Sequence, residues 1–125
     1  MPKDKVKILL VEDDEMLISM YKIKLESVGY EMVIAKNGVD GVKLAKEEKP
    51  DLVMLDVILP QLDGFSVLEA LKKDKATKSI PIVMLTNLGT EEDKQKGKAL
   101  GAKDYLVKAN LTPTQFSDKV KEYLK

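Results

Sequence analysis

The 125-residue chain contains no cysteine, no histidine and no arginine. Without cysteine there is no disulfide framework and no thiolate metal site. Without histidine, imidazole catalysis and histidine ligation of zinc are excluded. All 21 basic residues are lysine, and 21 acidic residues cancel them. The chain therefore has no net cationic field for nucleic acid or an anionic membrane, and it lacks the guanidinium fork that reads guanine edges. No apolar run approaches the roughly 20 residues that a membrane-spanning helix needs, and the residues ahead of Val6 do not read as a signal peptide. A soluble, cytoplasmic domain with no direct contact to nucleic acid or membrane is the expectation. The length suits one domain able to bury a core.

Five short apolar runs punctuate the chain: VKILLV (6–11), EMVIA (31–35), DLVML (51–55), IPIVML (80–85) and KDYLV (103–107). The first, third and fourth are near-continuous rather than alternating, as in strands covered on both faces. Between them lie segments with helical spacing. Leu17, Tyr21, Leu25 and Val28 share one face, with Gly29 as a stop. Asn37 is an N-cap with Asp40 three residues on, and Pro50 closes that helix. Asp63 caps a segment carrying Phe65, Leu68 and Leu71, and Thr90 with Asp93 forms a variant capping box. Thr112, Pro113 and Gln115 make a fuller box ahead of the stripe Phe116, Val120, Leu124. Five βα units without a long linker predict an α/β fold, a doubly wound parallel sheet with right-handed crossovers and helices on both faces.

In such sheets ligands bind beyond the carboxyl ends of the strands. Strand one ends in Glu12, Asp13, Asp14 and Glu15, strand three in Asp56, strand four in Thr86 and strand five in Lys108. Asp56 interrupts the apolar run LVMLDVILP (52–60), where an unpaired buried carboxylate would be costly. At a strand mouth it gains partners. Each of these residues alone has an ordinary reading: the acids as a cluster at a helix start, Asp56 as a cap, Thr86 and Lys108 as solvated side chains, Tyr105 as a strand aromatic. Asp63 and Gly64 read as a helix cap and turn and stay outside the site.

The pair Glu12-Asp13, Asp56 with LPQLDG (59–64), Thr86, Tyr105 and Lys108, in this order and spacing, resemble the receiver domains of two-component response regulators over essentially the whole chain. The resemblance implies the flavodoxin-like (βα)5 fold with strand order 2-1-3-4-5. It implies that Asp56 accepts a phosphoryl group and that Mg²⁺ is held by Asp13 and Asp56 directly, by Glu12 through water and by the backbone carbonyl of Ile58. Lys108 would pair with Asp56 and then with a phosphoryl oxygen; Thr86 would donate its hydroxyl, and Tyr105 would swing inward behind it. The implied partners are a histidine kinase or histidine phosphotransfer protein and a downstream effector protein. The polar segment 90–100, with thin apolar anchoring, would be the mobile part of an output face formed by helix 4, strand 5 and helix 5. Residues 1–125 read as one receiver domain with no output domain, either free-standing or excised from a longer protein.

Departures from that pattern carry expectations too. Ala109 follows Lys108 where the family usually has proline, so the Lys108–Ala109 bond is either cis, at about 3–4 kcal/mol, or trans with a shifted lysine. Glu12 stands in for the commoner aspartate. Ile58 and Leu88 are apolar where the family tunes acyl-phosphate hydrolysis, which predicts slow self-dephosphorylation. A turnover phosphohydrolase would want an acid at Ile58, a nucleotide-binding relative would offer donors rather than acids in its first βα turn, and no P-loop is present. The remaining alternative is a receiver-like interaction domain that works without phosphorylation.

Overall fold

The computed structural model describes residues 5–87 and 89–124. Strands β1 (Lys7–Val11), β2 (Glu31–Ala35), β3 (Leu52–Asp56), β4 (Ile82–Thr86) and β5 (Asp104–Val107) pair in parallel in the order β2-β1-β3-β4-β5. Helices α1 (Glu15–Ser27), α2 (Gly38–Glu48), α3 (Gly64–Lys73) and α4 (Glu91–Ala99) connect them, and α5 (Pro113–Tyr123) follows a short 3₁₀ turn at Lys108–Asn110. The expected doubly wound architecture and strand order are both present.

Period-two alternation explains the continuous apolar runs. Ile8, Leu10, Leu52, Met54, Val83 and Leu85 face α1 and α5, where they meet Tyr21, Leu25, Phe116 and Val120. Leu9, Val11, Val53, Leu55, Ile82 and Met84 face the opposite core, with Ala45, Leu68 and Leu71. A parallel sheet buried on both faces needs apolar residues at every position, because each face has its own layer to fill. Tyr21 and Phe116 stack with ring centroids 4.0 Å apart and tie α1 to α5; such pairs add about 0.5–1.5 kcal/mol beyond burial.

The caps follow the sequence reading, with refinements. Asn37 accepts from Asp40 N–H, Asp63 from Ser66 N–H, and Thr90 from Asp93 N–H. Thr112 and Gln115 form both arms of a capping box. Lys49, at φ 47°, closes α2 in the left-handed conformation just before Pro50. On α1 the buried stripe is Ile18, Tyr21 and Leu25; Val28 is the exposed cap residue and Leu17 is half-buried. On α5 Tyr123 is buried and Leu124 only partly so.

α4 is anchored unlike the others. Gly97 is its one buried residue, and a Cβ there would lie 3.3 Å from Cδ2 of Tyr105. The Lys96 ammonium sits 4.6 Å from the centroid of the Phe65 ring on α3.

Candidate functional site

The four strand-end segments converge on a cleft of about 330 Å³ whose lining includes Glu12, Asp13, Asp56, Ile58, Asn87 and Lys108. Register accounts for this: Val11 lies beside Leu55, and Asp56 beside Leu85. Residues just past these positions in neighbouring strands therefore open at one edge.

The acidic run 12–15 divides by task. Asp14 is the N-cap of α1, accepting from Met16 and Leu17 N–H. Glu15 forms a surface pair with Lys36. Glu12, 1% exposed, turns inward; one oxygen accepts from Asp13 and Asp14 N–H, and the other accepts from Lys108 Nζ at 2.6 Å. Asp13 is exposed at the cleft.

Asp56, 6% exposed, is the last residue of β3. Its Oδ2 accepts from Lys108 Nζ at 2.9 Å, and its Oδ1 accepts a long contact from Ile58 N–H at 3.4 Å. The buried lysine is thus shared by two carboxylates. Burial is the largest single influence on Lys108 and disfavours its charge, but the hydrogen bonds and charges of Glu12 and Asp56 together hold its pKa above the usual lysine value. Burial likewise pushes Glu12 up, with Lys108 working against it.

Oxygens of Glu12, Asp13 and Asp56 lie within 4.8 Å of one another. Three carboxylates against one ammonium leave a local excess of two negative charges. An all-oxygen donor set with that excess fits a hard divalent cation such as Mg²⁺.

Thr86 is buried at the end of β4. The Tyr105 ring on β5 packs toward Gly97, and its hydroxyl is enclosed without a hydrogen bond of ordinary geometry among the described residues. Burial raises the Tyr105 pKa, while the nearby Thr86 hydroxyl acts in the opposite direction. Thr86 and Tyr105 therefore lie side by side on the neighbouring strands β4 and β5. Ile58 is 75% exposed at the mouth of the cleft; Leu88 lies outside the described residues.

The open question at Ala109 is resolved: among the described residues no peptide bond is cis, and Lys108 reaches both carboxylates from a 3₁₀ turn. Gly64, set aside as a turn residue, supports the site from below. Its N–H donates to Val57 C=O at 2.8 Å, and a Cβ there would fall 2.1 Å from the Asp56 carbonyl oxygen. Asn87 was missed as a site residue. Its position directly after Thr86 at a strand end was the available signal.

The profile of the response regulator receiver domain matches residues 8–121. The chain is 44% identical to PilH of Pseudomonas aeruginosa over 104 residues, covering 82% of this chain and 84% of that protein. It is 41% identical over 119 residues to the alkaline phosphatase synthesis transcriptional regulatory protein PhoP of Bacillus subtilis, covering 95% of this chain. It spans only 48% of PhoP, and only 42% of the DNA-binding regulator RpaA of Synechocystis, so about half or less of those longer relatives. Chemotaxis protein CheY4 of Vibrio cholerae superposes with a TM-score of 0.89 at 32% identity, over 96% of this chain and 99% of that one. The receiver domain of a sensor histidine kinase from Pseudomonas aeruginosa, with magnesium coordinated in its active-site cleft, gives 0.87 at 26% identity, over 96% and 98%. With the family model matching residues 8–121, PilH 44% identical over most of both chains and the sheet order of the CheY-like fold present, the chain belongs to the receiver domains of two-component response regulators.

Proposed function

We propose that this chain takes a phosphoryl group onto Asp56 from the phosphohistidine of a histidine kinase or histidine phosphotransfer protein, with Mg²⁺, and thereby alters the face through which it engages a downstream effector protein. The observation that carries the reading is the buried Asp56 carboxylate, held by Lys108 at 2.9 Å beside two further carboxylates. This chain contains no histidine of its own to act as that donor.

Asp13 and Asp56 would hold the cation directly, with Glu12 acting through water and the Ile58 carbonyl completing the protein ligands. When bound, the ion neutralises charge between the carboxylates and the incoming phosphoryl oxygens. The Asp56 oxygen attacks phosphorus as the P–N bond of the donor breaks, and the electron pair of that bond stays with the imidazole. Phosphoryl transfer has a loose transition state, so positioning and charge neutralisation are most of what the protein supplies. Lys108 exchanges the Asp56 oxygen for a phosphoryl oxygen, and Thr86 donates its hydroxyl to another. Tyr105 follows Thr86 and carries the change to α4, β5 and α5. A groove of about 210 Å³ between α4 and β5, with Tyr105 at its wall, belongs to that face. Charge-assisted hydrogen bonds add roughly 1.5–3 kcal/mol each, against about 5.5 kcal/mol to invert a 1:99 population. Two or three such contacts are enough to move the equilibrium substantially.

Receiver domains are signalling modules rather than turnover enzymes. Ile58 offers no acid or base to hydrolysis, so the acyl phosphate is long-lived. Incubation with acetyl phosphate and Mg²⁺, followed by intact-mass measurement and peptide mapping, tests the proposal. One phosphoryl equivalent on Asp56, absent from Asp56→Asn and after chelation, is expected. Uptake by the Asn variant refutes it, continuous phosphate release indicates a phosphatase, and no reaction leaves the phosphorylation-independent interaction domain.

A further inference from the structure

We infer that Asn87 is the positioning residue for the water that hydrolyses the acyl phosphate, and so sets the lifetime of the signal; this rests on the reading of Asp56 as phosphoacceptor. Asp56 lies at the floor of the cleft, so a water attacking in line with the breaking bond arrives from the mouth. Asn87 is exposed and lines that mouth.

The other polar lining groups have prior commitments. Glu12 and Asp56 share Lys108, Asp13 completes the carboxylate cluster, and Asp14 is spent on the first turn of α1. The remaining described lining residues, Leu17 and the run 58–60, are apolar. Asn87 is therefore the uncharged hydrogen-bonding side chain left among the described lining residues. Its Oδ1 can accept from the water while its Nδ2 donates to a phosphoryl oxygen.

A neutral amide is adequate because the transition state is loose and the nucleophile needs orientation more than deprotonation. The water oxygen bonds to phosphorus, the bond from phosphorus to the Asp56 oxygen breaks, and Asp56 leaves as carboxylate. Both water protons depart with the phosphate, one of them passing on to solvent at neutral pH. The amide ends unchanged.

The chain is labelled with acetyl phosphate and Mg²⁺, the donor is removed, and acid-labile phosphate is followed in time. Asn87→Ala is expected to lengthen the half-life about fivefold, equivalent to roughly 1 kcal/mol of barrier, more than any change in its labelling rate. Asn87→Gln, which keeps the amide, is expected to recover part of the loss rate. A half-life unchanged or shortened in Asn87→Ala overturns the role of Asn87. So do equal changes in labelling and loss, which would indicate mere access to the cleft. A wild-type chain that takes no label overturns the phosphoacceptor reading itself.

Discussion

Lys108 is the side chain on which the most buried charge depends. Its ammonium lies 2.6 Å from Glu12 and 2.9 Å from Asp56, with all three groups nearly inaccessible. Removing one partner of a buried ionic group leaves the rest uncompensated, which is far costlier than losing a surface pair. Lys108→Met should lower unfolding free energy by about 3 kcal/mol in the presence of a chelator. Millimolar Mg²⁺ should return part of that loss, because the cation replaces the missing positive charge. Urea titrations with and without Mg²⁺ measure both effects. At the rim, Ile58→Asn should shorten the phosphoryl half-life by about tenfold, or roughly 1.4 kcal/mol, by adding a second group able to orient water. A half-life no shorter than that of the wild type would contradict this.

Among the helices, α3 carries a titratable start. Burial by itself would raise the Asp63 carboxyl, but hydrogen bonds from Ser66 N–H and Oγ–H and from Phe65 N–H outweigh it and hold it below the ordinary 3.8. A depressed carboxyl stabilises the fold fully above 3.8, and that contribution is lost as pH falls through the folded value. Asp63→Asn keeps a competent cap that does not titrate. Its stability relative to wild type should therefore rise as pH drops from 5 to 3, read from urea midpoints at each pH. Asp63→Ala should cost about 1 kcal/mol at neutral pH. Gly64, the next residue, has no room for a side chain, because a Cβ would meet the main chain at Asp56 and Val57. The start of α3 and the end of β3 are thus one packed unit. Asp63 was legible as a cap from its place ahead of the apolar stripe Phe65, Leu68 and Leu71. The contact of Gly64 with the acceptor strand was not, because a close backbone approach leaves no periodic trace.

Across the whole molecule, stability is unevenly spread. α1 contributes Ile18, Tyr21 and Leu25 to the core, whereas α4 buries Gly97 alone. Fewer buried apolar contacts mean cheaper local opening. Backbone amides of α4 (91–99) should exchange faster than those of α1 (15–27), by hydrogen exchange followed residue by residue. Equal protection would remove α4 as the mobile part of the output face.

Apolar periodicity and capping chemistry were enough to place five strands and five helices, because burial on both faces demands unbroken apolar runs and helix ends demand side-chain acceptors. They also put Asp56, Thr86 and Lys108 at strand ends. The resemblance, rather than periodicity, supplied the strand order. Folding alone decided that one lysine serves Glu12 and Asp56 together across 96 and 52 residues of sequence, that Asp14 caps a helix while Asp13 faces the cleft, and that Asn87 stands at its mouth. Those outcomes depend on strand register and loop path. The energies that choose them come from groups distant along the chain, so no local pattern records them.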